Sequence, residues 1–247
     1  MLFGGMMRAL IQKSRGEFAN INFFPAYIGF VEKGYDIEFF EPEEIEAKPL
    51  ELGCVVVGGI PIVVRALEKL GVSPPGLVSI PPSISPYARR EIWVGCIGDV
   101  RRVVDEGGTV FVKPLPQDRK LFGGKRISSY RDLAITASLP ADYSVMLSQP
   151  VNMLSEYRAF VVRGAVVGCR HYKGDFRLFP DFKVVDSAIR DFKEAPSGYA
   201  IDFAVLESGE TVLVEVNEGF SLGCYGLLPV AYASLLEARW ADFKLSV

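Results

Sequence analysis

Hydrophobic and polar positions change their period several times along the chain, and the changes divide it. Residues 7–12 (MRALIQ) form an apolar run of strand length, and residues 16–22 read as a loop. Helical spacing follows over 23–33, with Pro25 near its start and Gly34 as its stop. YDIEFF (35–40) alternates, which predicts a strand with one polar face. After an acidic segment, CVVVGG (54–59) is unbroken apolar, the pattern of a strand buried on both faces. Residues 61–70 return to helical spacing, with proline at the first turn and Gly71 at the end. Strand, helix, strand, strand, helix predicts a small α/β unit with a mostly parallel sheet over residues 1–85.

The proline-rich stretch 73–86 (SPPGLVSIPPSISP) marks the boundary and reads as an extended connector, not a packed element. Beyond it come a strand at 91–95, a helix over 97–105, and TVFVKP (109–114), a strand that Pro114 stops. Residues 115–126 (LPQDRKLFGGKR) are basic, carry two glycines and have no period. A helix is expected over 129–139 and a strand over 143–149, ended by Pro150. SEYRAFVV and AVVGCRHY flank Arg163-Gly164 as a hairpin, and residues 181–194 have helical spacing. YAIDFAVL and ETVLVEVN then flank Ser208-Gly209, which fits a two-residue hairpin loop. With that loop Asp202 falls opposite Glu215, and Asn217 shares their face. An amphipathic helix over 227–243 closes the chain.

Composition narrows the chemistry. The 247 residues are 49% hydrophobic and 23% charged, an ordinary globular balance with ample core. A net charge of −3 gives no electrostatic case for a general nucleic-acid binder. The N-terminus lacks the order of a secretory signal, and no apolar run is long enough to span a bilayer. Cys54, Cys96, Cys169 and Cys224 are scattered without a CxxC pair, which argues against zinc or a disulfide framework and for a cytoplasmic protein. His171 is the single histidine and no GxSxG elbow is present, so the chemistry falls to carboxylates, lysines and arginines.

Asp202 opposite Glu215 places like charges a few ångströms apart, and a hard cation such as Mg²⁺ would relieve the repulsion. An exposed face with chance acids is the competing account. Lys113 near the end of an apolar strand calls for an anion or a route to solvent. Around Gly123-Gly124, the cations Arg119, Lys120, Lys125 and Arg126 suit a lid over phosphates or a solvated charged loop. Gly58-Gly59 between a strand and a helix reads as a tight turn, since the full GxGxxG spacing is missing. In the first hairpin Glu156 and Arg158 share a face, while Tyr157 and Arg170 lie on the other unless a bulge intervenes.

The order of these features resembles the ATP-grasp superfamily over roughly residues 86–247: FVKP, a basic glycine loop, a strand ending near Ser148, SEYRAF and VEVNEGFSLGCYG. The last motif is most similar to a clade found often in phages and bacterial conflict systems. The resemblance implies a Rossmann-like α/β unit ahead of a two-subdomain fold with antiparallel sheets, the subdomains covering 86–150 and 151–247. It implies that Lys113 and Lys120 or Lys125 bind ATP phosphates, that Gln149 to Val151 form the adenine hinge, and that Glu156 meets the ribose. Asp202, Glu215 and Asn217 would hold Mg²⁺, with Lys113, Arg158 and Arg170 at the reacting groups. The implied activity is an ATP-dependent ligase joining a carboxylate to an amine or thiol through an acyl phosphate. A phosphotransferase and a non-catalytic nucleotide-binding module are the alternatives. The implied partner is a small molecule or peptide bearing a carboxylate.

Overall fold

The structure, a computed structural model, describes residues 7–76, 79–115 and 121–244. Three short strands, β1 (Arg8–Gln12), β2 (Asp36–Phe40) and β3 (Val55–Val57), form a parallel sheet in the order β2-β1-β3. Ala9, Leu10 and Ile11 of the central strand and all of β3 are buried, as an unbroken apolar run requires. Helices α1 (Phe23–Glu32) and α2 (Ile60–Lys69) complete the α/β unit.

A four-stranded antiparallel sheet follows, built from β4 (Ile92–Cys96), β5 (Val110–Pro114), β6 (Lys125–Ile127) and β7 (Ser144–Ser148) in the order β4-β7-β5-β6. Helix α3 (Ile97–Asp105) packs on it through Ile97, Val100 and Val104. The expected helix over 129–139 is only a tight 3-10 turn, Asp132–Thr136. Asp132 accepts from the Ser128 backbone N–H at 3.1 Å and the Ser129 hydroxyl at 2.9 Å, and the Thr136 hydroxyl bonds back to Leu133 O, so local side-chain bonds compete with the helix.

The larger sheet contains β8 (Met153–Val162), β9 (Ala165–Gly174), β10 (Gly198–Leu206) and β11 (Thr211–Glu218), antiparallel in the order β11-β10-β8-β9. One face is covered by α4 (Phe182–Asp191), whose Val185, Ala188 and Ile189 meet Ala159, Val161 and Ile201. Ile84 enters the same cluster from the 3-10 segment Pro82–Ala88, so the connector is packed and not an extended tether. Val216 N also donates to Ser79 O at 2.7 Å, tying this segment to the sheet edge. Prolines fix φ, and here they hold a shaped segment against the sheet.

The closing helix α5 (Pro229–Lys244), expected as an amphipathic helix over 227–243, is buried round much of its circumference, with Val230 and Lys244 exposed. It lies between the two ends of the molecule: Tyr232, Leu236, Trp240 and Phe243 share one cluster with Leu10 and Phe30 of the first unit and Phe160 of the large sheet. At its crossing with α1, a Cβ on Gly29 would stand 2.1 Å from Pro229 O, so only glycine allows the approach. No helix among the described residues is long and apolar enough to cross a membrane.

Both hairpins differ in register from the simple expectation. Arg163 and Gly164 take positive φ (48° and 79°), as a two-residue type I′ turn demands. A bulge then shifts the ladder between Phe160 and Val161, and Arg170 comes to lie opposite Arg158, not Tyr157. In the second hairpin the loop has three residues, Glu207 to Gly209, closed by Gly209 N to Leu206 O and Leu206 N to Glu210 O, each 2.9 Å. A second bulge, with Val214 the extra residue, compensates, and Asp202 still faces Glu215.

Candidate functional site

A cleft of about 750 Å³ opens between the two antiparallel sheets, with Lys113, Glu215, Asn217 and the Phe122 to Gly124 loop among its walls. Strand β5 turns Val110 and Val112 into the core, and Lys113, one residue before the strand-ending Pro114, faces the cleft. Its ammonium donates to Ser79 Oγ at 2.5 Å and lies 3.2 Å from Glu215 Oε2. Close approach shapes the loop opposite: a Cβ on Gly124 would stand 2.7 Å from the Phe111 ring.

Behind this wall lies a second layer of charge. Arg158 grips Asp202 with two parallel bonds, Nε to Oδ1 and Nη2 to Oδ2, both 2.8 Å. Asn217 Nδ2 donates to Asp202 Oδ2 at 3.2 Å and so joins the buried pair to the cleft. Tyr172 donates to Glu156 Oε2 at 2.9 Å and lies 3.5 Å from Asp202 Oδ2; Lys173 pairs with the other Glu156 oxygen. The Tyr225 ring covers the Arg158 guanidinium at 4.6 Å, from a backbone with φ of 44°. Burial pushes the Asp202 carboxyl above its ordinary range against the pull of Arg158, and nearby Glu215 adds to the push. Burial and the two neighbouring acids likewise push the Tyr172 phenol up, so it stays a donor.

The remaining candidates fall elsewhere. Arg170 shares the Arg158 face but spends Nε on Gly226 O at 3.0 Å and Nη1 on Cys169 O at 3.2 Å. Gln149 is clasped to Glu91, accepting from its N–H at 3.2 Å and donating its own N–H to Glu91 O at 3.1 Å. Val151 is partly buried just after β7. Lys125 is drawn to Asp132 at 3.3 Å, away from the cleft wall. Hydrogen bonds from Ser128 and Ser129 hold that Asp132 down at about 2, with Lys125 adding to them. Lys120 lies outside the described residues.

Sequence reading missed Ser79, Tyr172 and Arg90. Arg90 donates to Leu213 O at 2.8 Å and Val214 O at 3.2 Å, the carbonyls exposed by the second bulge. Tyr172 reaches Glu156 only because the first hairpin is bulged, which no periodicity reveals. The connector serine gave no signal at all.

Two carboxylates and an amide are a donor set suited to a hard cation. Among the described residues no group of three or more His, Cys, Asp or Glu forms a closed cage. Such a sparse set fits Mg²⁺, which keeps waters and shares its shell with substrate phosphates. Each Asp202 oxygen already accepts from Arg158, so metal binding there implies a change of partner.

Residues 87–235 match a family model described as an ATP-grasp domain, the second family of its clade. A search of curated proteins finds no match. Among solved structures, a RimK domain ATP-grasp protein from Sphaerobacter thermophilus aligns over 96% of this chain and 99% of its own, with TM-score 0.56 and 14% identity. D-alanine–D-alanine ligase from Bacillus anthracis complexed with ATP aligns over 98% and 97%, with TM-score 0.57 and 14% identity. The ATP-grasp ligase PsnB, complexed with minimal precursor, Mg and ADP, aligns over 93% and 97%, with TM-score 0.52 and 13% identity. At these identities the likeness is one of fold.

Proposed function

This chain belongs to the ATP-grasp superfamily, and from that premise we propose that it is an ATP- and Mg²⁺-dependent ligase joining a carboxylate to an amine or thiol. The observation that carries the reading is Lys113 meeting Glu215 across the cleft, with Asp202 on the neighbouring strand facing the same glutamate. A lysine and a carboxylate pair on opposite walls are the parts needed to align a nucleotide triphosphate and neutralise its charge.

The substrate carboxylate oxygen attacks the γ-phosphorus of ATP, the bond to the β,γ-bridging oxygen breaks, and ADP leaves. The amine then attacks the acyl carbon; phosphate departs and the amine loses a proton. Side chains contribute position and charge and form no covalent bond, which suits a site with neither a histidine nor an elbow serine. Lys113 binds phosphate oxygens, and Arg158 presents its planar fork to the transferring group. Asp202, Glu215 and Asn217 would hold Mg²⁺, which when bound neutralises charge on the phosphoryl oxygens. Lys120 or Lys125 supplies the second phosphate contact, Gln149 to Val151 receive the adenine and Glu156 the ribose, with Arg170 available to the acyl group. PsnB, an ATP-grasp ligase solved with minimal precursor, Mg and ADP, supports the same cofactors here.

Glu215→Ala tests the assignment, read by ADP release in a screen of amino acids and peptides. Turnover should fall about a hundredfold or more while circular dichroism is unchanged. Unaltered turnover would remove the metal assignment.

A further inference from the structure

Each carboxylate assigned to the metal is occupied by a cation assigned to the phosphates. Arg158 holds both oxygens of Asp202, and Lys113 holds Glu215 at 3.2 Å. The geometry points to an exchange of partners: metal and nucleotide enter as a pair, the metal taking the acids and the phosphates taking the released cations. This inference rests on the functional reading above and goes beyond it, since it concerns how the two ligands depend on one another.

Charge balance supplies the argument. A metal ion arriving alone must part Arg158 from Asp202, and that leaves a buried guanidinium with no counter-ion. Mg²⁺ also gives up water reluctantly, so two carboxylates already in use are poor bait. Nucleotide arriving alone meets the opposite difficulty. Lys113 is bound to Glu215 and Ser79, and freeing it leaves Glu215 without a cation, facing the phosphates while Asp202 stays with Arg158. Only joint arrival leaves every charge with a partner. The aromatic surroundings suit such a switch. Tyr225 at 4.6 Å and Tyr172 at 5.9 Å, their rings 5.4 Å apart, lie together on one side of the guanidinium, contacts that do not use its hydrogen-bonding edge.

The test uses the full chain and calorimetric titrations with MnCl₂ alone and with ATP in EDTA. Lys113→Gln should bind Mn²⁺ alone about tenfold more tightly than the wild type, because Glu215 is released. Glu215→Gln should bind metal-free ATP about tenfold more tightly, because Lys113 is released. Arg89→Gln is the control, removing the same charge from a surface pair with Glu210, and its Mn²⁺ affinity should stay within about twofold of the wild type. Equal or weaker Mn²⁺ binding by Lys113→Gln would overturn the exchange. So would an equal gain in Arg89→Gln, which would mark a general charge effect. Wild type that fails to bind ATP even with Mn²⁺ would instead bring down the functional reading itself.

Discussion

The two ion pairs of the site are the same chemistry in different surroundings. Arg158 and Asp202 are sealed inside the large sheet, their side chains 7% and 2% exposed, with ideal fork geometry. Lys113 and Glu215 stand on the walls of an open cleft, 23% and 35% exposed, joined by a single contact. Water screens the second pair and not the first, so stability rests on one and access on the other. On the function proposed above, the buried pair keeps the carboxylates assigned to the metal in register, and the exposed pair is the one that ligands reach.

The largest expected effect separates the two directly. Arg158→Met should cost about 3–5 kcal/mol of folding stability in urea denaturation, because it strands a buried carboxylate. Lys113→Met should cost less than about 1 kcal/mol, since both of its partners regain water. Equal costs would erase the distinction. The sign of the pH dependence sharpens it. Burial already pushes Asp202 upward, and without Arg158 it rises further above its unfolded value. A carboxyl raised in the folded state loses stability as pH climbs towards its folded pKa. The Arg158→Met deficit should therefore narrow at about pH 5 and widen at about pH 7.5, while the Lys113→Met difference stays flat.

A middle-sized effect concerns how the acids come to face each other. Arg90 is partly buried and donates to the carbonyls of Leu213 and Val214, beside and at the bulge. Burial lowers its guanidinium pKa, but its bonds to backbone oxygens remain. Arg90→Met should cost about 1.5–3 kcal/mol, the range for hydrogen bonds to a charged group, and should weaken Mn²⁺-ATP binding because Glu215 follows Val214 directly. Full binding in a destabilised variant would show that the bulge keeps its shape without Arg90.

The same bulge explains what could be read from the sequence and what could not. Alternation along YAIDFAVL and VLVEVN places Asp202, Glu215 and Asn217 on one face, because side-chain direction depends only on counting by two. The facing of Asp202 and Glu215 was legible even though the loop is one residue longer than the dipeptide suggests, since Val214 restores the count. The first hairpin had no such compensation, and its bulge moved Arg170 to the Arg158 face. Bulges are set by tertiary demands on the strand and leave little trace in composition. Burial by distant elements was equally invisible: Ile84 in a proline-rich stretch and much of the circumference of α5 are covered by elements far away in sequence. The parallel first sheet and the two hairpins of the large sheet were legible because runs, alternation and turn residues are local signals, whereas the antiparallel sheet between them was implied only by the family resemblance.

The smallest effect isolates the loop from the bulge. Gly209 has φ of 83°, and a Cβ added there would meet nothing within 4 Å, so crowding is not its constraint. What remains is the left-handed backbone itself, which costs an L-residue about 1–2 kcal/mol. Gly209→Ala should lower the urea midpoint by a matching amount, with an unchanged slope and unchanged Mn²⁺-ATP affinity, because the register at Asp202 is held by Val214 and Arg90 farther along the strand. If affinity fell together with stability, the loop and not the bulge would be setting the position of Glu215, and the compensation between them would be an accident of counting.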